Sequence, residues 1–171
     1  AYEEASVSFD DSLNTESECL SSVQNLDFGC CVDGTSAIFQ TREECDAAST
    51  GVGVNFTVEG FHEDMLCSND LLSTECAKQQ YTACYQGKVY WYDSCGNREN
   101  IYISDDRESY NNGYALKEED SCTPSGPYDS RCGNCDYSLG MTCGFDEEKI
   151  MSDGDYTCID LNCEDTFQNE A

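Results

Sequence analysis

Fourteen cysteines in 171 residues constrain this chain more than any other feature. They are Cys19, Cys30, Cys31, Cys45, Cys67, Cys76, Cys84, Cys95, Cys122, Cys132, Cys135, Cys143, Cys158 and Cys163. An even number spread along nearly the whole chain fits disulfides closed in an oxidising compartment better than thiols in a reducing one. Only 39% of the residues are hydrophobic, and Tyr and Cys fill much of that share, so the core is thin for this length. Bridges must therefore supply part of the stability, about 2–4 kcal/mol for each one that closes a sizeable loop. These features predict a small disulfide-rich fold, mainly β with a few short helices, built as tandem modules without one large core. The same features place it outside the cell or on its surface.

Charge narrows the partners. The net charge is -27, with 35 Asp and Glu against 8 Lys and Arg. Such a field repels phosphate backbones and anionic headgroups, which argues against nucleic acid and bare membrane as partners and favours divalent cations. No stretch approaches the roughly 20 apolar residues that span a bilayer, so membrane insertion is not expected. Because the sequence begins at Ala1 rather than Met, a signal peptide or larger precursor is expected to have been removed.

Cuts near Gly60 and in the polar stretch Asp105 to Gly113 group the cysteines by four, four and six. Even groups allow each segment to close its own bridges, giving modules at 1–62, 63–104 and 105–171. In the first, Val7-Ser8-Phe9 alternates like a short strand. Thr15-Glu16-Ser17-Glu18 and Thr41-Arg42-Glu43-Glu44 both match the capping box and predict helices near 16–22 and 42–48. Cys30 and Cys31 are neighbours, and a bond between them would strain the peptide, so each is expected to reach a different partner, such as Cys19 or Cys45. Val52, Val54, Phe56 and Val58 alternate as one strand. Asn55-Phe56-Thr57 is a glycosylation sequon with Asn55 on the face opposite Phe56.

The second module is the most readable. A short helix is expected from Asn69 to Lys78. Tyr81-Thr82-Ala83-Cys84-Tyr85 and Lys88-Val89-Tyr90-Trp91-Tyr92 then flank Gln86-Gly87, the spacing of a two-residue hairpin turn. Gly96-Asn97 turns the chain again into Ile101-Tyr102-Ile103, completing a meander. Val89 and Trp91 share one face and are expected in the core. Tyr90 and Tyr92 share the other, where an interface or a glycan platform competes with simple packing. The third module is loop-rich, with a short strand expected around Tyr156 to Ile159.

Cys84-Tyr-Gln-Gly-Lys-Val-Tyr-Trp-Tyr-Asp-Ser-Cys95-Gly-Asn-Arg98 resembles a cysteine-rich module of predicted secreted surface proteins of archaea and some bacteria. Cys30-Cys31-Val-Asp-Gly with Glu43-Glu44-Cys45, and Gly133-Asn-Cys135-Asp-Tyr through Gly154-Asp-Tyr-Thr-Cys158-Ile-Asp-Leu-Asn-Cys163, are similar to other parts of such proteins. The resemblance implies extracellular placement and a surface role. It carries no catalytic residue.

Enzymatic chemistry finds little purchase. Cys132-Gly-Asn-Cys135 with Cys158 and Cys163 could form a four-thiolate zinc site, or the first pair a redox dithiol beside Arg131, but ten other cysteines call for an oxidising setting and disulfides. His62, the only histidine, has acids beside it in Phe61-His62-Glu63-Asp64 but no serine elbow to serve. No enzyme is expected. Calcium suits the clustered carboxylates Asp105-Asp106, Asp146-Glu147-Glu148 and Asp153-Gly154-Asp155, with Asp146, Asp153 and Asp155 as the candidate ligands, and loose counterion screening of solvated charge runs is the competing reading. The leading expectation is a structural subunit of an extracellular filament, sheath or surface layer. Self-association would use Val7 and Phe9, by strand addition, and Tyr90 and Tyr92. The alternative is a monomeric secreted adhesin, glycan-binding, or an inhibitor-like module.

Overall fold

The computed structural model describes residues 27–34, 36–48, 59–127, 129–145 and 156–161. Val7, Phe9, Asn55, Asp146, Asp153, Asp155, Cys19 and Cys163 lie outside them, as do the expected helix at 16–22 and strand at 52–58. Three small antiparallel sheets follow one another. Strands β1 (Phe28–Asp33), β2 (Ser36–Thr41) and β3 (Gly60–Glu63) form the first, in the order β2-β1-β3. Strands β4 (Tyr81–Tyr85), β5 (Lys88–Tyr92) and β6 (Arg98–Ile101) form the second in sequence order, and β7 (Met141–Phe145) with β8 (Tyr156–Asp160) the third. Helix α1 spans Arg42–Ala48 and helix α2 spans Asp106–Tyr110. The fold is the expected small, disulfide-rich, mainly β one.

Two local predictions took shape through the chemistry that suggested them. At α1 the Thr41 amide and hydroxyl both donate to Glu44 Oε2, at 2.9 and 2.8 Å, and the Glu44 amide donates to Thr41 Oγ1 at 3.3 Å, which is the reciprocal capping box. Between β4 and β5, Gln86 and Gly87 both take positive φ, 48° and 78°, as a primed two-residue turn requires. That turn pairs Tyr85 with Lys88 and so fixes Ala83 against Tyr90 and Tyr81 against Tyr92.

Other expectations need correction. The stretch from Asn69 to Lys78 is not a helix but a single 3-10 turn, Asp70–Leu72, closed when Ser73 turns left-handed at φ 52°. The third meander strand begins at Arg98, three residues after Cys95, and ends at Ile101. Strands β1, β2, β3 and β7 and helix α2 lie beyond the sequence-based expectations.

Among the described residues the bridges are Cys30–Cys67, Cys31–Cys45, Cys76–Cys95, Cys84–Cys143, Cys122–Cys132 and Cys135–Cys158. Neighbours Cys30 and Cys31 diverge because successive strand side chains point to opposite faces, one into the core and one onto α1. Cys30–Cys67 and Cys84–Cys143 pass over the borders expected at 62 and 104, so the grouping by four, four and six does not describe how the cysteines pair.

Among the described residues, two small clusters stand in place of a single core. Val89, Trp91, Tyr102, Met141, Cys135 and Cys158 fill the space between the meander and β7–β8; Cys30, Val32, Ala37, Cys67, Leu72 and Cys76 fill the other, beneath the first sheet. Sulfur supplies half of the second cluster, which is how a chain poor in Leu and Ile closes it.

One side chain joins the first sheet to the meander. Asn97 Oδ1 accepts from the Phe39 amide at 3.0 Å and Asn97 Nδ2 donates to the Ala37 carbonyl at 2.9 Å, so the turn after β5 occupies the outer edge of β2. Asp93, fully buried, accepts from the Asn97 amide at 2.8 Å and from its Nδ2 at 2.9 Å, holding it there.

Candidate functional site

Strand alternation sends Thr82, Cys84, Val89 and Trp91 toward one side of the meander and Tyr81, Ala83, Tyr85, Tyr90 and Tyr92 toward the other. Val89 and Trp91 are buried, as expected for the core face. The other face is a tyrosine surface. Tyr81 stacks on its cross-strand partner Tyr92 with centroids 5.3 Å apart and planes 13° from parallel, while Tyr85 meets Tyr90 edge-on at 5.8 Å. Tyr81 and Tyr85 keep 45% and 38% of their surface exposed, enough for a partner to touch.

Arg98, opposite Tyr92 on β6, lays its guanidinium 3.9 Å from the Tyr85 ring centre and 5.1 Å from that of Tyr90. The ring faces hold the cation by their quadrupoles. Among the described residues no carboxylate comes within 4.0 Å of it, whereas Arg42, Lys88, Arg107 and Arg131 each meet one. Burial pushes the Tyr90 and Tyr92 phenols up, against the opposing pull of Arg98, so both rings stay neutral at physiological pH. The face is thus aromatic with one positive charge that no described carboxylate pairs, on a chain of net charge -27.

Beside this surface, where the meander meets the first sheet, lies a cleft of about 380 Å³. Phe28 and Phe39, stacked at 6.1 Å and 18°, form one wall. Tyr90 and Arg98 form another, and Asp64 and Lys117 sit at its lining. Asn100 sets the remaining side by donating to the Ser109 and Tyr114 carbonyls, both at 2.9 Å, and accepting from the Leu116 amide at 2.7 Å. Asp27 and Glu63, which also line it, are both bridged by Arg42, at 3.5 and 2.8 Å. A second cavity, of about 630 Å³, has a single ring, Tyr110, and Lys78 already covers that ring at 4.2 Å.

The Cys132-Gly-Asn-Cys135 motif is structural. Its cysteines bond to Cys122 and Cys158, not to each other, which leaves no thiolate pair for zinc or redox exchange. Gly133 fits against β5 and β6: its carbonyl accepts from the Val89 amide at 2.9 Å and its amide donates to the Tyr102 carbonyl at 2.8 Å. A Cβ there would stand 2.6 Å from the Val89 oxygen, so only glycine fits. Asn134 accepts from Lys88 Nζ at 2.6 Å and donates to the Cys122 carbonyl at 3.1 Å, completing the plug.

Among the described residues, the other candidates do not assemble into a site. Asp105 caps α2 by accepting from the Arg107 and Glu108 amides, at 3.0 and 3.3 Å, so its carboxylate is committed to the helix start. His62 is half-buried on β3, paired in register with Cys30. Cys76, Asp93 and Cys95 lie close together, but the two sulfurs bond to each other and Asp93 is taken by Asn97 and the Cys95 amide.

The sequence pointed to Tyr90 and Tyr92 and overlooked Tyr81, Tyr85 and Arg98. The first two were within reach, because a two-residue turn at Gln86-Gly87 fixes the register that puts them beside Tyr90 and Tyr92. Phe28 and Phe39 were not, since nothing local reveals that β1 and β2 pair with these rings aligned. No helix among the described residues is long and apolar enough to cross a membrane. No protein-family model matches the chain, and no curated protein and no solved structure is detectably similar to it.

Proposed function

We propose that this chain is a structural subunit of an extracellular assembly, a filament, sheath or surface layer, whose copies join through the tyrosine face of the meander. The observation that carries this reading is Arg98, held on Tyr85 and Tyr90 with no described carboxylate beside it. A cationic, aromatic patch on a strongly acidic molecule complements almost any other part of the surface of the next copy. Such a contact joins unlike surfaces and generates open polymers rather than closed dimers. The six disulfides and the resemblance of the Cys84 to Arg98 segment to secreted surface modules support placement outside the cell.

Copies carrying -27 each repel at long range, so assembly is expected only when salt or divalent cations screen the bulk of that charge. Light scattering and negative-stain microscopy of the purified chain, with and without millimolar calcium, test this. Polymers should form with calcium, disperse on chelation at low salt, and fail in Arg98→Glu. A discrete 19.0 kDa species under every condition would refute the reading. A monomeric secreted adhesin is the second reading, favoured by the aromatic cleft beside the tyrosine face.

A further inference from the structure

The cleft between the first sheet and the meander differs from the rest of the molecule in charge. Two basic residues, Arg98 and Lys117, line it, and a third, Arg42, bridges Asp27 and Glu63 at its edge and offsets one of their two charges; the whole chain has only 8. Glu99 is a lining residue too, but its two oxygens accept from Ser68 Oγ and from the Gln79 amide, away from any ligand. What remains is a nearly charge-balanced pocket on a molecule that is otherwise strongly anionic. Its walls are the stacked rings of Phe28 and Phe39 on one side and Tyr90 on the other.

We infer that this cleft binds a neutral pyranose ring of a glycan. The argument has three independent parts. Apolar C–H faces of a pyranose pack on aromatic rings, while its hydroxyls require both donors and acceptors; Arg98 and Lys117 donate, and Asp64 accepts. A cationic ligand would meet Arg98 and Lys117, and an anionic one Asp64 and the charge that Arg42 leaves uncompensated on Asp27 and Glu63, so charge balance favours a neutral polyol. The volume, about 380 Å³, sits at the low end of the roughly 300–1,000 Å³ of small-molecule sites and suits a sugar unit rather than a peptide segment. The inference does not depend on polymer formation, because every lining group belongs to a single copy.

Saturation-transfer NMR on the full disulfide-bonded chain tests it, in low-salt, calcium-free buffer. The probes are methyl glucoside, methyl galactoside, methyl mannoside and N-acetylglucosamine, with glucuronate and choline as charged comparisons. At least one neutral pyranoside should show transfer, strongest at its ring C–H protons. Phe28→Ala should weaken that binding at least about tenfold, a loss on the order of one aromatic contact. Phe28→Tyr should restore it. Lys117→Ala, an exposed change that leaves the fold intact, should weaken it severalfold. The inference is overturned if no neutral pyranoside binds, if binding is unchanged in Lys117→Ala and Phe28→Ala, or if only choline or only glucuronate shows transfer. Because the readout is binding to one copy, loss of polymer in Arg98→Glu and loss of sugar binding in Lys117→Ala report separately on the two readings.

Discussion

Asn97 does for β2 what a further strand would otherwise do. Its amide group mimics a strand backbone, one acceptor and one donor matched to the Phe39 amide and the Ala37 carbonyl. An open strand edge is a template for unwanted pairing, and this side chain blocks it. Asn97→Ala should leave both backbone groups unpaired and cost about 2–3 kcal/mol, read as a lower urea midpoint. Asn97→Asp should be worse, because it sets a second carboxylate against Asp93 and removes the donor to Ala37. Nothing in the sequence announces this role: the partners lie 58 and 60 residues away, beyond any local pattern. Thr41 and Glu44 were legible for the opposite reason, since a capping box is written within one turn of helix.

At the level of elements, what could be read was what closes on itself locally. The β4–β5 hairpin has strand-forming residues on both sides of a glycine turn, and its register follows from the turn alone. The segment from Asn69 to Lys78 has helix-forming composition in part, yet its fate is set from outside: Cys76 is tied to Cys95, and the Ala77 amide donates to Ser94 Oγ at 2.7 Å. Tertiary bonds of that kind override helix propensity. The loop carrying Gly133 behaves similarly, as a third element inserted beside β5 and β6. Gly133→Ala should force that loop away from Val89 and Tyr102 and cost about 1–3 kcal/mol, a typical penalty for overpacking. The check is loss of amide protection at Val89 in hydrogen exchange. Full protection in the variant would mean that the loop does not hold the strands.

For the whole molecule, the cysteine count established the class but not the pairing, because connectivity depends on which distant strands meet. The acidic excess was equally plain, while its uneven distribution was not. Buried Glu99 gives that excess a measurable consequence. Burial raises its carboxyl above the ordinary 4.5, despite hydrogen bonds from Ser68 and Gln79 that act the other way. The folded chain therefore binds that proton more tightly than the unfolded one. The resulting stability penalty is absent below 4.5, grows as pH rises through the window above it, and is complete beyond the raised folded value. Glu99→Gln should match the wild type below that window and exceed it in stability at neutral pH, as measured by urea midpoints across a pH series. Parallel profiles would show that Glu99 is not the group responsible.

Bridges that cross between sheets also decide how the molecule would bear tension. Pulled at residues 27 and 161, the chain transmits force across Cys30–Cys67, along the backbone to Cys84, and across Cys84–Cys143 to the last hairpin. The stretch between Cys30 and Cys67 and the stretch between Cys84 and Cys135 carry no stretching force while the sulfurs stay joined, whereas residues 135–143 share the load through the Cys135–Cys158 bridge. Tyr90, Tyr92 and Arg98 lie inside the longer span. A pull on residues 27 and 161 therefore leaves the surface proposed for gripping a neighbour unstretched, a division of labour between a covalent tether and a recognition face.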